Sequence, residues 1–279
     1  MSKIEFCLQI PDEKRHIRLR LVHPQHTDAH HQLVIIVTGL YSNMDKDGQT
    51  KLADDYQNAG FSTLQFNFMG HGEKQNKSEG NIEDVNFSSG IKDLKTVWDY
   101  ALTLSDKVDT KHIAIAANSY GAIVSLMALE QNIILPESMA LMSPFVIDKF
   151  KPWSCLLKLV PGLTLKMLKV PIRPATKALI KDFYANHAKA MSKKNLLGNT
   201  GVRFFIGSKD IISPVAYVKK WCEKFNSQMP KDVSFVDDIQ ADVKIYENVK
   251  HFGIPDNVAK DMHKCSIEFI KKMRDIRSK

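Results

Sequence analysis

The sequence predicts an α/β fold, with a mostly parallel central sheet and helices on both of its faces. Three observations predict it. Apolar runs of strand length alternate with stretches of helical periodicity along nearly the whole chain. A serine flanked by small residues stands where one such run gives way to a helix. A carboxylate and a histidine follow later, each in a loop just past a further apolar run, where open parallel sheets place their chemistry.

The elements follow in order. Ile4 to Ile10 and His16 to Val22 alternate apolar and polar residues, which predicts a leading antiparallel hairpin. Leu33 to Thr38 is continuously apolar, as a strand buried on both faces must be. Gln49 to Ala59 reads as a helix ended by Gly60, and Ser62 to Phe68 as the next strand. Ile91, Leu94, Val97, Trp98 and Leu102 fall near helical spacing, giving a helix from about Phe87 to Leu104. A strand from His112 to Asn118, a helix after Ser119 and a strand from Met139 to Ser143 come next. The alternation resumes with a strand at Val202, a helix near Val215 to Phe225, a strand at Val243 and a last helix from Asn257 to Met273.

Ser119 lies in Ala117-Asn118-Ser119-Tyr120-Gly121, directly after Ile113-Ala114-Ile115-Ala116 and before Ala122-Ile123-Val124. An abrupt strand-to-helix turn with serine at its apex is a nucleophile elbow. The turn is tight, so the residues two before and two after the serine must be small; here they are Ala117 and Gly121. The helix that starts there directs unpaired N–H groups at any negative charge forming at the serine. Asp210 ends Val202-Arg203-Phe204-Phe205-Ile206-Gly207-Ser208-Lys209-Asp210, ahead of Pro214. His251 follows the run Val243 to Tyr246 and precedes Phe252-Gly253.

Each of these residues has a duller alternative. Serine at a strand end caps helices, Asp210 is placed to close a turn, and Asp148 is a rival acid. Among the other histidines, His71 lies between two glycines and stabilises its own loop. His30 and His31 fall in a polar linker, His112 starts a strand, and His187 and His263 sit in helical patterns. Only His251 lies between the last strand and the last helix.

Type, context and chain order together make the sequence resemble the α/β-hydrolase superfamily, whose triads run Ser, Asp, His along the chain. The layout is similar to small feruloyl (cinnamoyl) esterases, monoacylglycerol lipases and acyl-thioesterases, from about Leu33 to Phe269. Val37-Thr38-Gly39-Leu40-Tyr41-Ser42-Asn43 stands where that family carries a His-Gly-Phe-type oxyanion loop. Phe66-Asn67-Phe68-Met69-Gly70-His71-Gly72 stands where it carries Asp-x-Arg-Gly-His-Gly. Thr38, Ala117, Asn67 and Met69 depart from the family's usual His, Gly, Asp and Arg, and none of these changes removes a group that carries the chemistry. The resemblance implies a serine hydrolase with catalytic Ser119, Asp210 and His251. It also implies an oxyanion hole made by the backbone N–H groups of Leu40 and Tyr120, and no metal or other cofactor.

Residues 145–201 break the alternation and hold Pro152, Pro161, Pro171 and Pro174, with lysines among large apolar groups. They stand where such hydrolases insert a cap, so residues 1–144 and 202–279 are expected to form the core and 145–201 a lid. An amphipathic cap suits an apolar acyl group beneath it or a membrane surface beside it, and equally an ordinary helix packed on the domain. The chain of 279 residues carries 39 Lys and Arg against 31 Asp and Glu, a net charge of +8. That excess suits a solvated surface, an anionic membrane or an acidic carrier protein; no nucleic-acid motif accompanies it, so nucleic acid is not expected. Cys7, Cys155, Cys222 and Cys265 lack metal-type spacing and read as reduced thiols. Without a secretory signal or a span of about 18 apolar residues, the expected location is the cytoplasm.

Overall fold

A computed structural model describes residues 2–24, 31–144, 182, 200–227 and 241–278. Among the described residues, eight strands form one sheet in the order β1-β2-β4-β3-β5-β6-β7-β8. They are β1 (Ser2–Gln9), β2 (His16–His23), β3 (His31–Val37), β4 (Ser62–Phe66), β5 (Val108–Asn118), β6 (Ser138–Met142), β7 (Gly201–Gly207) and β8 (Asp242–Tyr246). The hairpin β1-β2 and the β2-β4 pair are antiparallel; every other pairing is parallel. The expected α/β architecture is therefore the observed one.

Among the described residues, five α-helices accompany the strands: α1 (Asp47–Asn58), α2 (Phe87–Leu102), α3 (Ser119–Glu130), α4 (Val215–Ser227) and α5 (Asp256–Arg277). Helices α1 and α5 touch each other, with the Tyr56 hydroxyl donating to Ser266 Oγ at 2.8 Å. Helix α3 contacts α2, and its Glu130 accepts from Trp221 Nε1 of α4 at 2.9 Å. Every residue from Tyr120 to Leu129 is buried, so α3 is apolar nearly all round, as a helix enclosed on every side must be. The sheet core is as dry: Leu33 to Val37 and Ala114 to Ala117 have no exposed surface.

Strand β5 begins earlier than its apolar run. His31 and Gln32 pair with Val108 and Asp109, and the register then shifts before Val34 meets Ala114. The irregularity absorbs the polar residues Asp109 to His112 and lets the apolar ones fall into line. The expected cap, residues 145–201, lies outside the described residues apart from Asp182, Thr200 and Gly201, as do Asp148, His187 and His30. The carboxylate of Asp182 accepts from the Ser88 backbone N–H at 2.7 Å and from its hydroxyl at 2.9 Å, supplying an acceptor in the first turn of α2.

Candidate active site

Strand β5 delivers Ser119. Its φ is +47°, in the left-handed region that a serine rarely occupies. The surroundings impose this conformation. A methyl group on Gly121 would lie 2.4 Å from Thr38 O and 2.5 Å from Val37 O, so α3 leaves the elbow in contact with the end of β3. Only a glycine allows that approach. Ser119 is half-buried, between the mouth of the sheet and its interior.

Ser119 Oγ lies 3.1 Å from His251 Nε2. The other ring nitrogen, Nδ1, lies 2.9 Å from Asp210 Oδ2 and 3.1 Å from Oδ1. Three groups separated by tens of residues thus form one continuous line at the C-terminal ends of β5, β7 and β8. A carboxylate only accepts, so Nδ1 carries the hydrogen between them and Nε2 is left to accept from the serine hydroxyl. Asp210 also accepts from the backbone N–H groups of Ile212 at 2.9 Å and Ser213 at 2.8 Å. Burial pushes its carboxyl up; the His251 ring and these two donors outweigh that and hold it below the ordinary carboxylate value. The side chains of Asp210 and His251 are almost completely enclosed, at 0% and 5% exposure.

The loops carrying Asp210 and His251 are joined to each other. Ser208 N–H donates to Tyr246 O at 2.9 Å, Lys209 N–H to Val249 O at 2.9 Å, and Asn248 N–H to Ser208 Oγ at 2.9 Å. Gly207 permits this, since a methyl group there would meet Val249 O at 2.1 Å. Immediately beyond Asp210 and His251, Ile211 and Phe252 project apolar side chains into solvent, at 60% and 63% exposure.

The Thr38 to Met44 loop closes the other side. A methyl group on Gly39 would stand 3.4 Å from Ser119 Cβ, so this turn rests directly against the serine. Leu40 is next in the turn, while Tyr120 is the first residue after Ser119 in α3. A second loop, Asn67 to Gly72, supports the first. Asn67 Oδ1 accepts from Met44 N–H at 2.8 Å, and its Nδ2 donates to Asn76 O at 2.7 Å. The carboxylate usual at this place offers no donor, so here the amide does both jobs. His71, 2% exposed, accepts from Tyr41 N–H at 3.0 Å. Met69 N–H donates to Asp93 Oδ2 at 2.8 Å, and Arg15 Nη2 donates to Asp93 Oδ1 at 2.7 Å.

The buried Arg15–Asp93 pair has no counterpart in the sequence reading. Its signal was available: Asp93 lies on the stripe that also holds Leu94 and Val97, and a charge on an apolar stripe implies a buried partner. Among the described residues, no group of three His, Cys, Asp or Glu is placed to hold a metal ion, and no helix is long and apolar enough to cross a membrane.

Comparison with known proteins finds the same fold elsewhere. A protein from Agrobacterium vitis S4 described as a hydrolase superimposes with a TM-score of 0.69 at 17% identity, covering 97% of this chain and 100% of that one. Est1E from Butyrivibrio proteoclasticus, solved with ferulic acid bound, gives 0.67 at 15% identity over 95% and 99% of the two chains. The Pyrococcus furiosus esterase Pf2001 gives 0.65 at 16% identity over 97% and 92%. At these identities the likeness is one of fold. No curated protein matches the sequence. The family model described as serine aminopeptidase, S33, matches residues 28–248, a span that holds Leu40, Ser119, Tyr120 and Asp210 and ends just short of His251. The chain belongs to this serine aminopeptidase S33 family of α/β-hydrolases.

Proposed function

We propose that the protein is a serine hydrolase of carboxylic esters that works through an acyl-enzyme on Ser119. The unbroken contact from Ser119 Oγ through His251 to Asp210 carries this reading. A serine hydroxyl is a weak nucleophile at neutral pH, so the proton must leave as the bond forms. His251 Nε2 accepts that proton and returns it to the departing alcohol. Asp210 holds the ring in the one tautomer able to do so and offsets its transient positive charge. The negative charge on the tetrahedral oxygen then falls to the backbone N–H groups of Leu40 and Tyr120. In the second half-reaction water attacks the acyl group and the same proton path runs again.

The apolar residues Ile211 and Phe252 beside the triad favour an apolar acyl or alcohol group. Acyl-carrier or coenzyme A thioesters and monoacylglycerol or lysophospholipid substrates use the same groups, and side-by-side kinetics on oxygen and sulfur esters ranks them. The net charge of +8 suits an anionic membrane surface or an acidic carrier protein as the partner that presents the substrate.

Ser119→Ala is expected to abolish hydrolysis of a short p-nitrophenyl ester with the thermal midpoint nearly unchanged, and a fluorophosphonate is expected to label one peptide, the one holding Ser119. Turnover retained by the alanine variant, or a label on another residue, rejects the proposal.

A further inference from the structure

His71 stands outside the line of proton transfer, yet its ring reaches the loop that closes over Ser119. Its two partners determine its state. The backbone N–H of Tyr41 can only donate, so Nε2, 3.0 Å away, accepts. The carbonyl of Met69 can only accept, so Nδ1, 2.9 Å away, carries the hydrogen. The ring is therefore neutral, with both nitrogens satisfied and almost no surface exposed. Burial favours that neutral form further, holding the imidazole below its ordinary value.

What this hydrogen bond holds is an unfavourable turn. Ser42 N–H donates to Gly39 O at 3.1 Å, closing a four-residue turn over Leu40 and Tyr41. Tyr41 occupies its third position with φ at +61°, which turns of this kind normally give to glycine. A tyrosine there opposes its own backbone preference. One rotation of the Leu40–Tyr41 peptide relieves the strain, but it also takes the Tyr41 N–H away from His71. The acceptor at Nε2 is what opposes that rotation. Leu40 is consequently clamped on both sides, by Gly39 against Ser119 and by Tyr41 against His71.

We infer that His71 is a positioning residue for the oxyanion hole: its neutral ring, by accepting from Tyr41 N–H, fixes the turn that aims the backbone donor of Leu40. The inference rests on the reading of Leu40 as that donor. His71 is in turn supported from beneath, since Met69, which takes its hydrogen, is held through its own N–H by Asp93 and thereby by Arg15.

His71→Leu fills the space and removes the acceptor, while His71→Gln keeps an amide oxygen able to accept near Nε2. On a p-nitrophenyl ester, kcat of the leucine variant is expected to fall by about tenfold to a hundredfold with KM within about twofold, because only the charged transition state uses the donor. Its affinity for a boronic acid, which forms a tetrahedral anion on Ser119, falls in parallel. The glutamine variant recovers much of both. Adding Tyr41→Gly to the leucine variant is also expected to restore part of kcat, since glycine holds a positive φ unaided. A role confined to stability predicts no such rescue by glycine. A folded leucine variant with wild-type kcat overturns the inference, and so does a loss that appears in KM alone or that neither second change repairs. Should the leucine variant not fold, a glutamine variant with kcat down a hundredfold overturns it equally. If Ser119→Ala itself retains turnover, the reading of the reaction falls; if that variant is inert and His71→Leu is fully active, only the positioning role falls.

Discussion

Asp210 shows how one carboxylate is shaped for one task. Enclosed on all sides, it stays ionised because His251, Ile212 and Ser213 all offer it hydrogens. Replacing it with asparagine keeps the shape but presents a donor to Nδ1, favouring the wrong tautomer; kcat is expected to fall by about three to four orders of magnitude in steady-state ester hydrolysis. The same residue has a signature in stability. Its carboxyl titrates below the ordinary value of 3.8, so the unfolded chain binds that proton more readily than the folded one. Its stabilisation is complete above about pH 3.8 and is lost as pH falls through the lowered value. Urea unfolding of the wild type and of Asp210→Asn at several pH values is therefore expected to show a gap that narrows below pH 3.8. A gap independent of pH would contradict this.

At the scale of elements, the elbow depends on contact between α3 and β3 more than on the helix itself. Gly121→Ala places a methyl group against two backbone carbonyls, neither of which can turn aside. The expected result is a thermal midpoint lower by several degrees, from a clash of about 1–3 kcal/mol, together with an ester hydrolysis rate lowered at least tenfold as Ser119 moves. An alanine variant with normal rate and midpoint would mean that α3 has room to shift. The elements themselves were largely legible in the sequence. Apolar runs marked the strands, helical spacing marked α2, and Ala117 and Gly121 marked the elbow. Strand ends were less legible: β5 starts at Val108 because a register irregularity admits polar residues that read as a loop. His71 was readable as a loop residue, but its bond to Tyr41 spans 30 positions. Asp93 and Arg15 meet across 78. Pairings over such distances are settled by the packed fold and leave little trace in local pattern.

The whole molecule is polar in its use of the sheet. Ser119, Asp210 and His251 gather at one end, while a separate polar cluster closes the other. There Glu137, 3% exposed, accepts from Gln32 Nε2 at 2.7 Å and contacts His112 Nδ1 at 2.8 Å. Burial pushes the Glu137 carboxyl up, and the His112 ring opposes that. Glu137→Ala leaves the buried Gln32 amide without its acceptor, so unfolding free energy is expected to drop by about 1–3 kcal/mol. Catalysis should be untouched, with kcat/KM within about twofold of wild type; a larger change would mean that the two ends communicate.

Ser119 and His251 are 132 positions apart, and Asp210 and His251 41. A growing polypeptide therefore presents Ser119 long before His251, the base of the proposed mechanism, has been made. Until the final strand docks, that hydroxyl is as inert as any surface alcohol. On the proposed mechanism, the centre is thus switched on only when β8 and the loop carrying His251 have joined the sheet.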